Sequence, residues 1–425
     1  MSLPATEARE IVRPEGERMT DTTAPARLAR VEFTGSRLEL IGIVVRGYAL
    51  MIPSIGVYRF WQATWKRRFY WQNTVIDGEP LEYTGTASQL LIGFLFALAF
   101  FLPIYVALFY FSLQDSRLTL VGYAAAASIL WFLAGYAIYR ARDFRLSRTL
   151  WRGIRFDQRG NAWAYALRRF LWSIAMLLTL GLVYPWMASS LWRYRWRNTW
   201  YGDRKFEIAG NWRRFALPYY ATYVLNLAAI GAVVGWIVLR HDIVVSDGVS
   251  YPGPTSLLAI LGAILVSALS LAWYRTTIAS RMLSTVSAGD ARLSVRLRAR
   301  ALFGQFVVYV LAVAGLLVLL ALTAILVLAG VFVTAAGKGQ SGNAALLQVF
   351  QSSTLNVALL IGVYLVVLGA FGLVAEAILS FGWWRLLARG SSIANADSLR
   401  DVRATPEDRS LAGQGLADAL NVGAY

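Results

Sequence analysis

The sequence has no cysteine and only one histidine, His241. These absences exclude disulfides, thiolate chemistry and Cys/His metal clusters. It also lacks a phosphate-binding glycine loop, a nucleophile elbow, an HExxH zinc motif and a dinucleotide fingerprint. His241 stands beside Asp242 between two apolar runs, where a lone histidine is far more often incidental than a general base. The sequence therefore predicts a protein that is not an enzyme and has neither a metal nor a cofactor.

Acidic residues and lysine are also scarce. The chain has 24 Asp and Glu against 41 Lys and Arg, for a net charge of +17, and only three of the 41 are lysines. No RNA- or DNA-binding motif accompanies this charge, so we predict no nucleic-acid partner. Arginine suits bidentate phosphate contacts, and arginine beside tryptophan is also what headgroup anchoring requires of any membrane protein. We predict membrane lipids, including anionic ones, as partners.

Long apolar runs are abundant instead. The chain is 57% apolar and has a mean hydropathy of +0.51, which is too apolar for a water-soluble protein of this length. Runs close to or above the ~20 residues needed to cross a bilayer lie at Leu90–Leu113, Leu118–Tyr139, Ala216–Leu239, Ser256–Trp273, Phe303–Val333 and Leu355–Leu379. The predicted fold class is an α-helical polytopic membrane protein with about six full crossings.

The distribution of basic residues predicts the orientation. The loops after the first, third and fifth runs hold one basic residue each, Arg117, Arg240 and Lys338, whereas residues 140–169 alone hold nine. The positive-inside rule therefore places both termini and the large loops in the cytoplasm.

Two further segments, Leu40–Trp61 and Phe170–Trp186, are apolar but interrupted. Each contains a helix-breaking pair: Pro53 with Gly56, and Gly181 with Pro185. Basic residues flank both segments on both sides, which favours re-entrant or interfacial segments that enter and leave on the cytoplasmic side. Full crossing is the alternative, and it would make the two copies an inverted repeat.

The two interrupted segments begin an internal repeat. Residues 56–85 and 181–210 align without a gap and match at nine positions. Trp61, Trp65 and Phe69 are spaced as one helical stripe at the bilayer surface, with Lys66 and Arg67 toward headgroups. A strand, a tight turn and a second strand follow, and we expect such small cytoplasmic β-hairpins to pair into one small sheet. The hairpin motif comprises Asn73, Thr74, Asp77, Gly78, Glu82 and Gly85 in the first copy, and Asn198, Thr199, Gly202, Glu207 and Gly210 in the second.

The predicted organisation is a tandem array. A disordered cytoplasmic tail, 1–30, precedes repeat unit 1 at 31–139 and repeat unit 2 at 140–273, each with a re-entrant segment, an amphipathic helix, a hairpin and a helix pair. A divergent unit 3 with a long helix pair covers 274–390, and a second cytoplasmic tail covers 391–425.

Together, "FTGSRLELIG", "LTLGLVYPWM", "RNTWYGDRKFEIAG" and "GQGLADALNVGAY" resemble the YjgN family of bacterial inner-membrane proteins, a family of unknown function. The resemblance implies a bacterial inner-membrane location and no particular activity. It also implies a candidate partner, because a membrane-bound metallopeptidase is often encoded near family members. The chain departs from the family pattern in its last unit, where a longer helix pair ends in "FGWWRLLARG".

Four residues are candidates for a ligand or lipid headgroup. Arg68 and Arg193 hold equivalent positions in the repeat, and Arg46 lies inside the first interrupted segment. Glu376 is the carboxylate inside an apolar run, where pairing with an arginine and proton coupling are both compatible with the sequence. Broken helices at repeated positions favour a transporter or channel-like protein. The alternative is a non-catalytic membrane scaffold that binds anionic lipid or a partner protein through its cytoplasmic face.

Overall fold

The structure, a computed structural model, describes residues 28–113, 116–240, 243–246, 249–337 and 354–405. The predicted N-terminal tail lies outside the described residues up to residue 27. Within the described chain the α-helices are α1 (Arg37–Met51), α2 (Arg59–Gln72), α3 (Ala87–Ser112), α4 (Ser116–Ser147), α5 (Ala162–Leu178), α6 (Tyr184–Arg197), α7 (Arg213–Arg240), α8 (Pro254–Leu283), α9 (Ala299–Gly337), α10 (Thr354–Ala375) and α11 (Phe381–Arg389). A π-helical turn, Glu376–Ser380, joins α10 to α11, and a 3₁₀ helix covers Ala396–Leu399.

The strands are short and lie along the whole chain. They are β1 (Leu28–Phe33), β2 (Thr74–Ile76), β3 (Glu79–Tyr83), β4 (Thr149–Trp151), β5 (Ile154–Gln158), β6 (Thr199–Tyr201), β7 (Arg204–Lys205), β8 (Glu207–Ile208), β9 (Ile243–Ser246), β10 (Val249–Pro252), β11 (Val286–Ala288), β12 (Ala291–Val295) and β13 (Ser391–Ala394). β9 and β10 form a separate two-stranded sheet, and the other eleven segments form one sheet.

The eleven-segment sheet closes on itself. Its order runs from β7 through β6 to β1, then β13, β12, β11 and β8, and every pairing is antiparallel. The two ends of this order, β7 and β8, are separated by Phe206 alone. One continuous stretch, 204–208, therefore pairs with β6 on one side and β11 on the other. Counted in this way the sheet is an up-and-down barrel of ten strands, and we call it the barrel.

All five helical hairpins leave the barrel from the same end. Each is inserted between two strands that pair with each other, as α1 and α2 are between β1 and β2. The opposite end holds tight turns, and several of these need positive φ angles. In the turn from β2 to β3, Asp77 has φ 53° and Gly78 has φ 85°, and Arg152 and Gly153 repeat this geometry between β4 and β5.

Six helices are long and apolar enough to cross a membrane, as the sequence predicted. They are the partners in three long hairpins, α3 with α4, α7 with α8, and α9 with the segment containing α10 and α11. The protein is thus mostly helical and compatible with a polytopic membrane protein. The hairpins pair into one sheet, as expected, but the closure of this sheet on itself was not predicted.

The two interrupted segments are short helix-turn-helix hairpins with the same local geometry. α2 and α6 begin and end at positions 125 residues apart, and so do β2 and β6. In each turn two residues have positive φ: Ile55 and Gly56 in the first, and Leu180 and Gly181 in the second. Gly56 N donates to Met51 O and Gly181 N donates to Met176 O, both at 2.8 Å.

Several predicted boundaries differ from the structure. The divisions between the units at 139/140 and 273/274 lie inside α4 and α8, because these helices continue for eight to ten arginine-containing residues beyond their apolar runs. The predicted tails contribute strands: β1 begins at Leu28 and β13 begins at Ser391. β13 has only four residues, which is too short for a periodicity to be recognised in a polar segment.

The predicted surface stripe on α2 is also divided. Trp61 and Trp65 are 37% and 49% exposed, but Phe69 is only 3% exposed and packs in the core with Phe33. Lys66 forms an ion pair with Glu376 instead of facing headgroups. The stripe prediction failed here because α2 is covered by other elements along one side.

The barrel interior contains one of the hydrophobic cores. Trp151, Tyr201, Ala288 and Leu399 belong to it, and Leu399 comes from the 3₁₀ helix at the turn end of the barrel. Burial raises the pKa of Tyr201 to about 12, so its hydroxyl stays protonated and donates to Trp151 O at 3.0 Å. The barrel therefore has its own apolar core at one end of the helices.

Candidate functional site: a basic, tryptophan-lined pocket

The second short hairpin holds a concave pocket that contains Arg193. The pocket has a volume of about 740 Å³ and lies between α5, α6, β7 and the start of α7. We call it the Arg193 pocket. Its lining residues are Arg168, Trp172, Trp186, Ser189, Ser190, Arg193, Tyr194, Arg197, Asn198, Lys205, Asn211 and Trp212.

Four cations converge on this pocket without an acid. Arg168, Arg193, Arg197 and Lys205 line it, and no Asp or Glu is among the described residues that do so. Like charges gathered at one concave surface repel each other and raise the local concentration of anions. Guanidinium groups present planar pairs of donors that match phosphate oxygens. The chemistry of the pocket therefore suits a phosphate-bearing anion.

Aromatic and hydroxyl groups hold the basic side chains in place. The guanidinium carbon of Arg168 lies 4.8 Å from the ring centre of Tyr194, within the range of a cation–π contact. Arg193 Nη2 donates to Ser189 Oγ at 3.4 Å, and the rings of Trp186 and Trp212 stack at 4.2 Å. Trp212 directly precedes α7, which has the length of a transmembrane helix, so the pocket lies where a short hairpin meets a long one.

α5 and α6 are fixed locally by side-chain capping. Asn161 accepts hydrogen bonds from the N–H groups of Trp163 and Ala164 and so caps α5. Tyr194 on α6 donates to Asn161 O at 2.8 Å. The two helices are thereby joined at the barrel end, which sets the spacing between Arg168 on α5 and Arg193 on α6.

The first short hairpin has a tight contact between its two helices. Gln62 on α2 is buried and its Nε2 donates to Val44 O of α1 at 3.1 Å. A Cβ added to Gly47 would lie only 2.4 Å from Gln62 Cγ, so the two helices are in close contact there. Equivalent positions of the two copies are 125 residues apart, so Gly47 corresponds to Trp172 and Gln62 to Met187. Trp172 lines the Arg193 pocket, and Met187 does not.

The other predicted arginines have different surroundings. Arg68 Nη2 donates to Gly85 O at 3.4 Å, and its guanidinium carbon lies 5.5 Å from the ring centre of Trp65. Arg68 does not line the Arg193 pocket. Arg46 is exposed on α1.

Glu376 lies in the π-helical turn and pairs with a lysine. Lys66 Nζ is 3.1 Å from Glu376 Oε2, and Tyr70 OH donates to Glu376 Oε1 at 3.3 Å. Glu376 thus pairs with a lysine rather than with the arginine of one of the two interpretations that the sequence left open, and proton coupling stays a prediction. Lysine is rare in this chain, and the sequence gives no sign that Lys66, 310 residues away, would reach Glu376.

The hairpin-motif residues lie in and beside the barrel strands. Thr74 and Thr199 are buried at the strand starts and donate to the carbonyls of Tyr70 and Arg195 at 2.7 and 2.9 Å. Asn73 and Asn198 make equivalent bonds to the helix residue four positions earlier.

The remaining motif residues lie in turns, at exposed strand positions or in close backbone contacts. Asp77 Oδ2 pairs with Arg152 Nη2 at 2.9 Å, and Gly78 and Gly202 have positive φ. Glu82 and Glu207 are exposed on their strands. A Cβ at Gly85 or Gly210 would meet Tyr83 or Thr285.

Sequence reasoning identified Arg193 and missed the other cations of its pocket. Arg168, Arg197 and Lys205 belong to a helix, a second helix and a strand, and the turns at Gly181 and Gly202 bring them together. The Asn-Thr pair at 198 and 199 marks the change from α6 to β6. It is the sequence signal that could have drawn attention to Arg197.

These features define a class: a helical, membrane-embedded protein with a closed antiparallel sheet at one end of its helices. The chain belongs to the family described as "Bacterial protein of unknown function (DUF898)", whose model matches residues 28–418. This match confirms the resemblance to the YjgN family. Neither the curated proteins nor the solved structures contain a significant match to the chain.

Proposed function

We propose that this protein is a non-catalytic membrane protein that binds the phosphate-bearing headgroups of anionic lipids in the Arg193 pocket. The observation that carries the proposal is the convergence of four cations, three of them arginines, on a tryptophan-lined cavity with no carboxylate among its described lining residues. Tryptophan and arginine together are typical of the interface between lipid and water. An anionic headgroup there would neutralise the repulsion between the four cations.

The membrane arrangement that accompanies this proposal follows from the hairpins. The three long hairpins cross a bacterial inner membrane, and the two short hairpins enter and leave on the barrel side. The return of every hairpin to paired strands supports this arrangement, as does the length of α1 and α5, 15 and 17 residues, against the ~20 residues of a crossing helix. The arginine-rich barrel and both termini then lie in the cytoplasm.

The two short hairpins are, on this proposal, copies of one unit on the same membrane face. The coincidence of element bounds at a spacing of 125 residues supports a tandem repeat. It favours parallel copies over inverted ones, because α1–α2 and α5–α6 both begin and end at the barrel.

A transporter or channel finds less support in the geometry. No more than 18% of the most apolar part of any of the six long helices is buried, so the described residues of a single chain do not surround a path with packed helices. A role as a lipid-binding scaffold needs no such path. A membrane-bound metallopeptidase partner remains a proposal that rests on the family resemblance.

Retention of phosphatidylglycerol by the purified protein tests the proposal. The triple variant Arg168→Gln, Arg193→Gln, Arg197→Gln would be compared with wild type in neutral detergent, with bound lipid counted by native mass spectrometry. Loss of even one charge-assisted hydrogen bond, worth about 1.5–3 kcal/mol, lowers affinity at least about tenfold. We expect a decrease of that size or more.

A control triple carries the same change in net charge. Arg46→Gln, Arg155→Gln, Arg292→Gln alters three arginines that are exposed and outside the pocket, and we expect a small, salt-sensitive decrease. Titration with inorganic phosphate distinguishes a free anion from a lipid headgroup as the ligand. A specific headgroup site would be contradicted if the two triple variants lost equal amounts of bound phosphatidylglycerol and if salt abolished both differences from wild type.

A further inference from the structure

An apolar cavity lies inside the barrel. Its volume is about 290 Å³, and alternate residues of the strands point into it, as Thr199 and Tyr201 do on β6 and Ala291 and Leu293 do on β12. This spacing of two is the one expected for interior positions of a barrel strand. The cavity is separate from the Arg193 pocket, since no residue lines both.

The width of the barrel explains why side chains leave this space open. Barrels of about eight strands have interiors that side chains fill or that hold one small ligand, and this barrel has ten. Large residues such as Trp151 and Phe156 occupy part of the interior, but β11 and β12 contribute the small residues Ala288 and Ala291. Apolar space without an occupant loses the contacts that its lining atoms would otherwise make.

The polar groups in the lining are largely satisfied by the protein. Thr74 Oγ1 donates to Tyr70 O and accepts from Trp384 Nε1 at 2.9 Å. Thr199 Oγ1 donates to Arg195 O and accepts from Arg142. Ser391 Oγ donates to Leu387 O at 2.7 Å. A ligand in the cavity therefore needs to make few hydrogen bonds with the lining.

One exception is the indole of Trp151. This residue is 2% exposed and lines the cavity, and its Nε1 has no hydrogen-bond partner among the described residues. A buried donor without a partner is costly. The ligand that suits the lining is thus a hydrocarbon chain that carries at most one hydrogen-bond acceptor.

The position of the cavity indicates where such a chain would come from. Its helix-end side is lined by Leu146 of α4, Trp196 of α6, and Trp384 and Leu387 of α11. α4 and the segment that contains α11 are two of the six helices with the length and composition of membrane spans. The barrel interior therefore lies next to the ends of helices that are long enough to span a membrane.

We infer that the barrel cavity binds one acyl chain, in whole or in part. An apolar cavity of about 150 Å³ holds a benzene-sized molecule, and this one has about twice that volume. The chain belongs either to a free fatty acid or to a membrane phospholipid, since the hydrocarbon is the same in both. This site goes beyond the proposed headgroup binding and does not depend on it.

Photocrosslinking with an acyl chain tests the inference. Palmitate with a diazirine at mid-chain, and phosphatidylcholine with the same labelled chain, would be added separately to the protein in phosphatidylcholine nanodiscs. After irradiation, the labelled peptides would be mapped by mass spectrometry. We expect label on β11, β12 or β13, competed by unlabelled palmitate. Label in the palmitate arm alone identifies a free fatty acid, and label in the phospholipid arm identifies a membrane lipid.

A variant that fills the cavity and a control variant outside it form a matched pair. Ala288→Leu adds volume at a lining position, and we expect loss of barrel labelling with headgroup retention unchanged. Ala127→Leu adds the same atoms on an exposed position of α4 and should leave the labelling as in wild type. Labelling confined to the six long helices in the wild-type protein overturns the inference even if Ala288→Leu does not fold. Barrel labelling that persists in folded Ala288→Leu also overturns it.

Discussion

In the first short hairpin Gln62 is buried on α2 and bonds to α1, whereas in the second hairpin α5 and α6 line the Arg193 pocket. The backbone is shared, down to the positive φ angles at Gly56 and Gly181. The side chains differ: Gly47 lies against Gln62 in the first copy, and its equivalent Trp172 lines the pocket in the second. One backbone plan thus supports a copy with a tight helix contact, which we call the packed copy, and a copy with a cation-lined pocket, which we call the open copy.

The two copies also differ in their attachment to the long helices. In the first, Lys66 of α2 pairs with Glu376 in the π-helical turn. In the second, the equivalent position is Leu191, which is buried in another core with Tyr139 and Tyr165. Both copies have apolar contacts, and the packed copy has an ion pair in addition.

The largest effect is expected at the turn glycines of the two copies. A Cβ at Gly202, where φ is 55°, would lie 2.3 Å from Arg403 O, while nothing lies within 4 Å of one at Gly78, where φ is 85°. Gly78→Ala should lower the free energy of unfolding by about 1–2 kcal/mol, because a residue with a Cβ is strained in the left-handed backbone conformation. Gly202→Ala should cost more, because the backbone at Arg403 must also move. Thermal unfolding in detergent measures both variants, and equal shifts would contradict the close contact.

Removal of the ion pair should have the next largest effect. Lys66→Met leaves Glu376 without its lysine, and we expect a loss of about 1–3 kcal/mol, below the ~3–5 kcal/mol of a fully buried pair because both side chains are partly exposed. The double variant with Glu376→Gln should be less destabilised than the sum of the two single variants. Strict additivity in this double-mutant cycle would show that the two residues do not interact.

Close packing of the first copy gives a smaller expected effect. Gly47→Leu should destabilise the protein by about 1–2 kcal/mol, the lower part of the overpacking range, because flexible Gln62 can move aside. Gly42→Leu on the same helix is the control, since nothing lies within 4 Å of an added Cβ there. Similar melting temperatures for the two variants would show that α1 and α2 are not in close contact.

Much of the helical architecture could be predicted from the sequence, because a run of ~20 apolar residues is a strong local signal. The turn at Asp77 and Gly78 was predictable for a similar reason, since an Asp-Gly pair favours positive φ. The closed sheet was not, because strands such as Thr74–Ile76 have only three residues and pair with strands far away in sequence. β13 lay in a stretch predicted to be a tail, although it closes the sheet between β1 and β12.

The candidate site was predictable only in part, for the same physical reason. Arg193 could be named from the repeat, because it matches Arg68. That match also suggested equal surroundings for the two arginines, and the structure shows different ones. The pocket depends on single side chains such as Trp172, and these give no signal in a hydropathy pattern.

Retention of phosphatidylglycerol by Arg193→Gln and Arg68→Gln, measured side by side in neutral detergent, tests most directly whether the open copy is the binding site. Both variants remove one guanidinium from equivalent positions, so they have the same net charge and the same place in the repeat. Headgroup binding in the Arg193 pocket predicts about a tenfold loss of affinity for Arg193→Gln, from one charge-assisted contact. For Arg68→Gln the loss should be less than about threefold, as for an ordinary surface charge. Equal losses, or a larger loss for Arg68→Gln, would contradict a binding site in the second hairpin.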